Sequence, residues 1–271
     1  MVQFTSPPGY QSPPPRVCQR FSTGGTIYVE SADNIIFPVD GELLRLQAPG
    51  FPIYRPYPST SVGEAISLAE DGETLEHLLR IVYQDRDVWP PDTLPFAQLV
   101  LLADAAEKYQ VYAALITCRL AMKSHSETHT LEVLAYAARN KANDVLDSAA
   151  SFSVGLSIAD ACAAMPLPYI AAWVLYIDQH SKLMRHMTEY RYAGAVCSSC
   201  VDKVVRNAVL KGPEGLVRLD ELFTEAVLYP VDRGACSRGK SDTGCREYLR
   251  EWKARLERAV ERVEPMSSFL S

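Results

Sequence analysis

Apolar residues in this chain change their repeat once, and that change limits the folds open to it. Thr26-Ile27-Tyr28-Val29-Glu30-Ser31 and Ile35-Ile36-Phe37-Pro38-Val39 are runs rich in β-branched and aromatic residues separated by Ala32-Asp33-Asn34, the signature of a β-hairpin. Asn34 falls where the turn needs positive φ, a conformation that Asn tolerates better than most residues. Pro38 has no N–H to give a ladder, so its position should be an edge or a bulge. A further short strand is expected at Ala65-Ile66-Ser67-Leu68.

After that strand the repeat becomes helical. Asp71 is placed to cap a helix over 73–83, in which Leu75, Leu78, Leu79 and Val82 share one face. A second helix opens near Pro95 with Phe96, Leu99, Ala103 and Ala106 on a stripe, and a third runs from about Val111 through Leu115, Cys118 and Met122. Strands gathered first and helices after them predict an α+β architecture with a small sheet, not a doubly wound parallel sheet. Earlier still, Pro7, Pro8, Pro13, Pro14 and Pro15 leave residues 1–22 few apolar groups to bury, so this arm is expected to be disordered.

The runs TIYVESADNIIFPVDGELLRLQAPGF, ISLAEDGETLEHLLRIVYQD and LVLLADAAEKYQVYAALITCRLAM, in that order, resemble a BTB/POZ domain, specifically the divergent type abundant in basidiomycete fungi. The resemblance covers about residues 24–125, and Ala103 to Cys118 is its most specific part. It implies a BTB/POZ fold over residues 23–125, a small sheet flanked by helical hairpins, followed by an all-helical extension. It also implies that Leu43, Leu44 and Leu46, on the first helix, belong to a partner or dimer surface, with a two-fold homodimer as the expected symmetry. Asp40 stands where the family usually has a histidine.

Beyond Glu127, helical spacing continues at Leu131, Leu134, Ala135 and Ala138, and again at Val145, Leu146, Ala149 and Phe152. In family terms residues 126–190 resemble the helical extension that completes a cullin-binding surface. Residues 191–271 read as a separate helical region with cysteine pairs. Its last helix carries Leu249, Trp252, Leu256, Ala259 and Val263 at heptad spacing. An indole fits a two-stranded seam poorly, so this helix is expected to dock on its own domain.

Cys197 and Cys200 have the C-x₂-C spacing from which two thiolates can reach one zinc ion. Cys236 and Cys245 are a wider pair, and the alternatives are a structural zinc held by all four or separate buried and surface thiols. No other cofactor is expected. Motifs for a P-loop, a zinc protease helix or a dinucleotide fold do not occur. Gly155-Leu156-Ser157-Ile158-Ala159 approaches the nucleophile elbow but lacks the preceding strand. The five histidines (His77, His125, His129, His180, His186) have no obvious acidic or cysteine companions in sequence, and His180 and His186, six apart, do not share a helix face. These readings predict a protein without catalytic activity.

A net charge of −6 disfavours a nucleic-acid partner. The most lipid-like window, Ala163 to Ile177, has 15 uncharged residues and two prolines, short of the roughly 20 that a membrane span needs. Seven cysteines without a secretory start suit a cytoplasmic or nuclear setting. The resulting expectation is a protein-interaction module with an unidentified protein partner, either a substrate adaptor of a cullin-based ubiquitin ligase or a nuclear scaffold or transcriptional regulator that uses the fold without a cullin. From Glu64 to Asp87 seven acids face two bases, which reads as a solvated face or a surface for a basic partner.

Overall fold

The computed structural model describes residues 16–21, 27–53, 65–85, 90–189, 198–224 and 243–270. The protein is mixed α+β and mostly helical, and it divides into two units, Met1–Met122 and Lys123–Ser271. The first unit holds a four-stranded sheet of order β1-β3-β2-β4. Its strands are β1 (Arg16–Val17), β2 (Ile27–Glu30), β3 (Ile35–Val39) and β4 (Ile66–Ser67).

β2 and β3 form the expected antiparallel hairpin, with Ile27 opposite Val39 and Val29 opposite Phe37. Asn34 adopts a φ of 63°. β1 pairs in parallel with β3 only at Ile35 and Ile36, so Pro38 lies past the end of β1 and its missing donor costs no bond there. The turn is also tied to a segment well beyond the hairpin. The Asp33 carboxylate accepts from the Ser31 hydroxyl at 2.6 Å and from the Gly72 N–H at 2.7 Å.

Residues 16–21 depart from the expected disordered arm. They add β1 and a one-turn helix, Gln19–Phe21, that buries Phe21 5.2 Å from the Tyr83 ring and 6.2 Å from that of Phe37. One aromatic side chain and an Arg20–Asp85 ion pair at 2.7 Å anchor a segment whose composition promised no burial, because the receiving groups come from β3 and from residues beyond 80.

Helix α1 (Gly41–Gln47) is capped by Asp40, whose side chain accepts from the N–H groups of Glu42 and Leu43. Asp71 caps α2 (Gly72–Val82) through the N–H of Thr74 at 2.7 Å. Leu75, Leu78, Leu79 and Val82 are buried along α2, the face that the spacing predicted. α3 (Phe96–Tyr109) packs on α2, and Gln110 in the left-handed conformation turns the chain into α4 (Tyr112–Ser124).

The second unit contains α5 (Thr130–Asn140), α6 (Asn143–Ala150), α7 (Ile158–Ala164), α8 (Leu167–Glu189), α9 (Ser198–Lys211), α10 (Leu219–Leu222) and α11 (Thr243–Val260). The sequence suggested a boundary at residue 190, yet 123–271 form one unit. The reason is α8, whose 23 residues pack against α7 as well as against α9 and α11. Trp252, Leu249 and Leu256 of α11 are buried with Val204, Leu222 and Phe223 in one cluster, so the last helix docks within its own unit. Beyond it the one-turn helix Met266–Phe269 packs on α6 and α8.

Candidate interaction surface

α4 is apolar on two sides, and only one of them is covered. Ala114, Cys118, Ala121 and Met122 are buried. Burial pushes the Cys118 thiol up to about 12, with a smaller push from the Glu107 carboxylate, so it is a packed, unreactive side chain. On the other side Tyr112, Ile116 and Leu120 are 62%, 72% and 69% exposed. Spacing of four places them in one row along the helix.

Nothing charged interrupts that row. Arg119, the nearest cation in sequence, is turned to Glu107, whose Oε1 accepts from its Nε and Nη2 at 2.8 and 2.7 Å. Thr117 folds its hydroxyl back onto the carbonyls of Ala113 and Ala114. The result is an uncharged helical face on a chain of net charge −6. Sequence reasoning assigned α4 its buried stripe and missed this row. A signal was present, because a helix with large apolar residues on both sides has more to cover than one neighbour can take.

Of the residues expected at a partner surface, Leu44 does not qualify. It is fully buried, on a helix that packs on α2. Leu43 is half-buried and Leu46 is 67% exposed. The acidic stretch is also less available than its composition suggests. Glu70 accepts from Lys108 Nζ at 2.7 Å and from the Tyr109 hydroxyl, Glu73 from Gln98 at 2.8 Å, and Glu76 pairs with Arg80 at 2.6 Å. Asp71 is a cap and Asp85 is bound to Arg20.

The cysteine set is split. Cys200 on α9 and Cys245 on α11 are buried in the same hydrophobic cluster, while Cys197 and Cys236 lie outside the described residues. Among the described residues no group of three or more His, Cys, Asp or Glu side chains converges as a metal site would need. Ser157, at the centre of the near-elbow, is the N-cap of α7: it accepts from the Asp160 N–H at 3.1 Å and donates to its carboxylate at 2.7 Å. His180 is buried, with Nδ1 3.1 Å from the Tyr176 carbonyl, and burial holds its pKa below the ordinary value. His77 sits half-buried on α2 with Nδ1 2.9 Å from the Glu73 carbonyl.

The chain matches no protein-family model, no curated protein and no solved structure. Its functional reading therefore rests on its own residues. Among the described residues no helix is long and apolar enough to cross a membrane. The feature most in need of a partner is the Tyr112–Ile116–Leu120 row, since burying such side chains stabilises an assembly by roughly 25 cal/mol per Å² of apolar surface removed from water.

Proposed function

We propose that this chain is a protein-interaction module of BTB/POZ type that serves as a substrate adaptor of a cullin-based ubiquitin ligase. The interaction reading rests on one observation, the uncharged, exposed row on α4. Exposed apolar faces of this kind mark association sites more often than solvated ones, and a row at spacing four packs naturally into the grooves of a partner helix. The BTB assignment is supported by element order: hairpin, helix, strand parallel to the hairpin, then three successive helices. The cullin comes from the sequence resemblance alone.

The test is a pull-down of the tagged full chain from cells of the source organism, with a cullin and its neddylated form read by immunoblot. A chain carrying Ile116→Glu and Leu120→Glu is run beside it. A charge on each of two exposed positions leaves stability within about 0.5 kcal/mol and removes the partner. Cullin recovered equally by both chains would overturn the assignment of the α4 face. A partner that is not a cullin, lost from the double variant, would favour the scaffold reading.

A further inference from the structure

A cleft of about 500 Å³ opens beside α8 where α11 and its following turn pass along it. That volume is inside the roughly 300–1,000 Å³ of small-molecule sites. Its apolar lining is Leu183, Ala259 and Val263, and its polar lining includes Lys182, His186 and Arg262. Among the described residues no acidic side chain lines it, although the chain as a whole carries −6.

The basic side chains differ in how they are engaged. Lys182 is paired with Asp178, one turn away on α8, at 2.6 Å. Arg262 and His186 carry side chains with no hydrogen-bond or ion-pair partner among the described residues. Gln179 closes one end: its Oε1 accepts from the Glu264 N–H at 3.1 Å and its Nε2 donates to the Glu264 carbonyl at 3.2 Å. Each of its amide groups thus has a partner in the chain, while Arg262 and His186 carry donors that none of the described residues engages.

We propose that this cleft binds a small amphipathic anion, a monocarboxylate with an alkyl body. The guanidinium of Arg262 matches a carboxylate with two parallel donors, His186 offers a further donor, and the alkyl body covers Leu183, Ala259 and Val263. An acidic chain gives such an anion no long-range attraction, so recognition depends on the Arg262 charge, the His186 donor and the apolar wall together. The inference is independent of the α4 face and of any cullin.

Calorimetric titration of the full chain with decanoate, below its micellar concentration, tests the proposal. Decyltrimethylammonium, which has the same chain length and the opposite charge, is the comparison. One decanoate per chain is expected, with no binding of the cation. Arg262→Glu should weaken decanoate by tenfold or more, the scale of one charge-assisted hydrogen bond, and His186→Glu should weaken it in the same direction. Arg262 is exposed, so the melting temperature of its variant should be unchanged. Equal binding of both amphiphiles, no binding of decanoate, or full affinity in the Arg262→Glu chain would each overturn it.

Discussion

Glu70 shows how one side chain can fix the path of three segments. Its backbone carbonyl accepts from Ala32 at 2.8 Å, its carboxylate accepts from Lys108 and Tyr109, and Tyr109 stacks on Phe51 with ring centroids 4.2 Å apart. Gly50 is pressed against the same place: a Cβ there would lie 2.7 Å from the Lys108 carbonyl oxygen, a backbone atom that cannot move aside. Burial raises the Glu70 pKa, and the hydrogen bonds from Lys108 and Tyr109 outweigh it, so the carboxyl titrates below its ordinary range. A depressed folded-state pKa gives stability that is present above the unfolded value and lost as pH falls through the folded one. Glu70→Gln should therefore destabilise the chain at pH 7, and its deficit against the wild type should shrink on acidification below about pH 4.5, as read by urea unfolding at a series of pH values. A constant deficit across that range would remove the ionic account. His180 adds a pH dependence of its own: burial depresses its pKa, so the unfolded chain binds the extra proton first and stability falls as pH drops below about 6.5. His180→Asn should flatten that part of the profile. In the core, Leu78 is fully buried on α2, and Leu78→Ala should cost about 2–5 kcal/mol, measured by the denaturant midpoint.

Among the elements, α11 illustrates a heptad pattern resolved by intramolecular docking. Leu249, Trp252 and Leu256 are buried, and Trp252 meets Phe223 edge to face with centroids 5.6 Å apart, a preferred aromatic geometry. The chain past it is clasped as well. Asp147 on α6 accepts from the Ser267 N–H at 2.8 Å and from its hydroxyl at 2.6 Å, and Met266 is fully buried beside them. Trp252→Ala should cost about 3–5 kcal/mol, and the share of the fluorescence of the three tryptophans that Trp252→Phe removes should come from an indole shielded from iodide. A chain ending at residue 244 should bind more of a hydrophobic dye than the full chain and melt lower. If it is as stable as the full chain and binds no more dye, the docking contributes nothing to the fold. α4 is the complementary case, an element whose second apolar side finds no cover among the described residues.

For the molecule as a whole, the exposed apolar residues outside α4 bear on self-association. The proposed two-fold contact through α1 rests on Leu46 with part of Leu43, because Leu44 is committed to the core. Light scattering at tens of micromolar, a concentration that populates weak dimers, is expected to report twice the 30.1 kDa chain mass, and Leu46→Glu should return the monomer value. A monomer for the unaltered chain would leave α1 without that role. The acidic stretch predicts little here. Glu70, Glu73, Glu76 and Asp85 are engaged by Lys108, Gln98, Arg80 and Arg20, so association should depend weakly on salt, in contrast to the steep dependence of a free acidic surface.

Local features were legible in the order of residues. The hairpin with Asn34 at its turn, the Asp71 cap, the buried face of α2 and the apolar seam of α11 all arise from interactions within one element or between adjacent ones, where the repeat of side chains along the backbone dictates which of them share a face. Features that depend on distant segments were not legible there. Phe21 is buried where Phe37 and Tyr83 meet it, Leu44 is buried in the core, and Glu70 is bound by residues 38 and 39 positions further along the chain. The α4 row stays bare while the opposite side of the same helix is buried. Periodicity states that a face is apolar, but which apolar face is covered depends on where distant segments come to rest, and that is a property of packing between elements and not of any one of them.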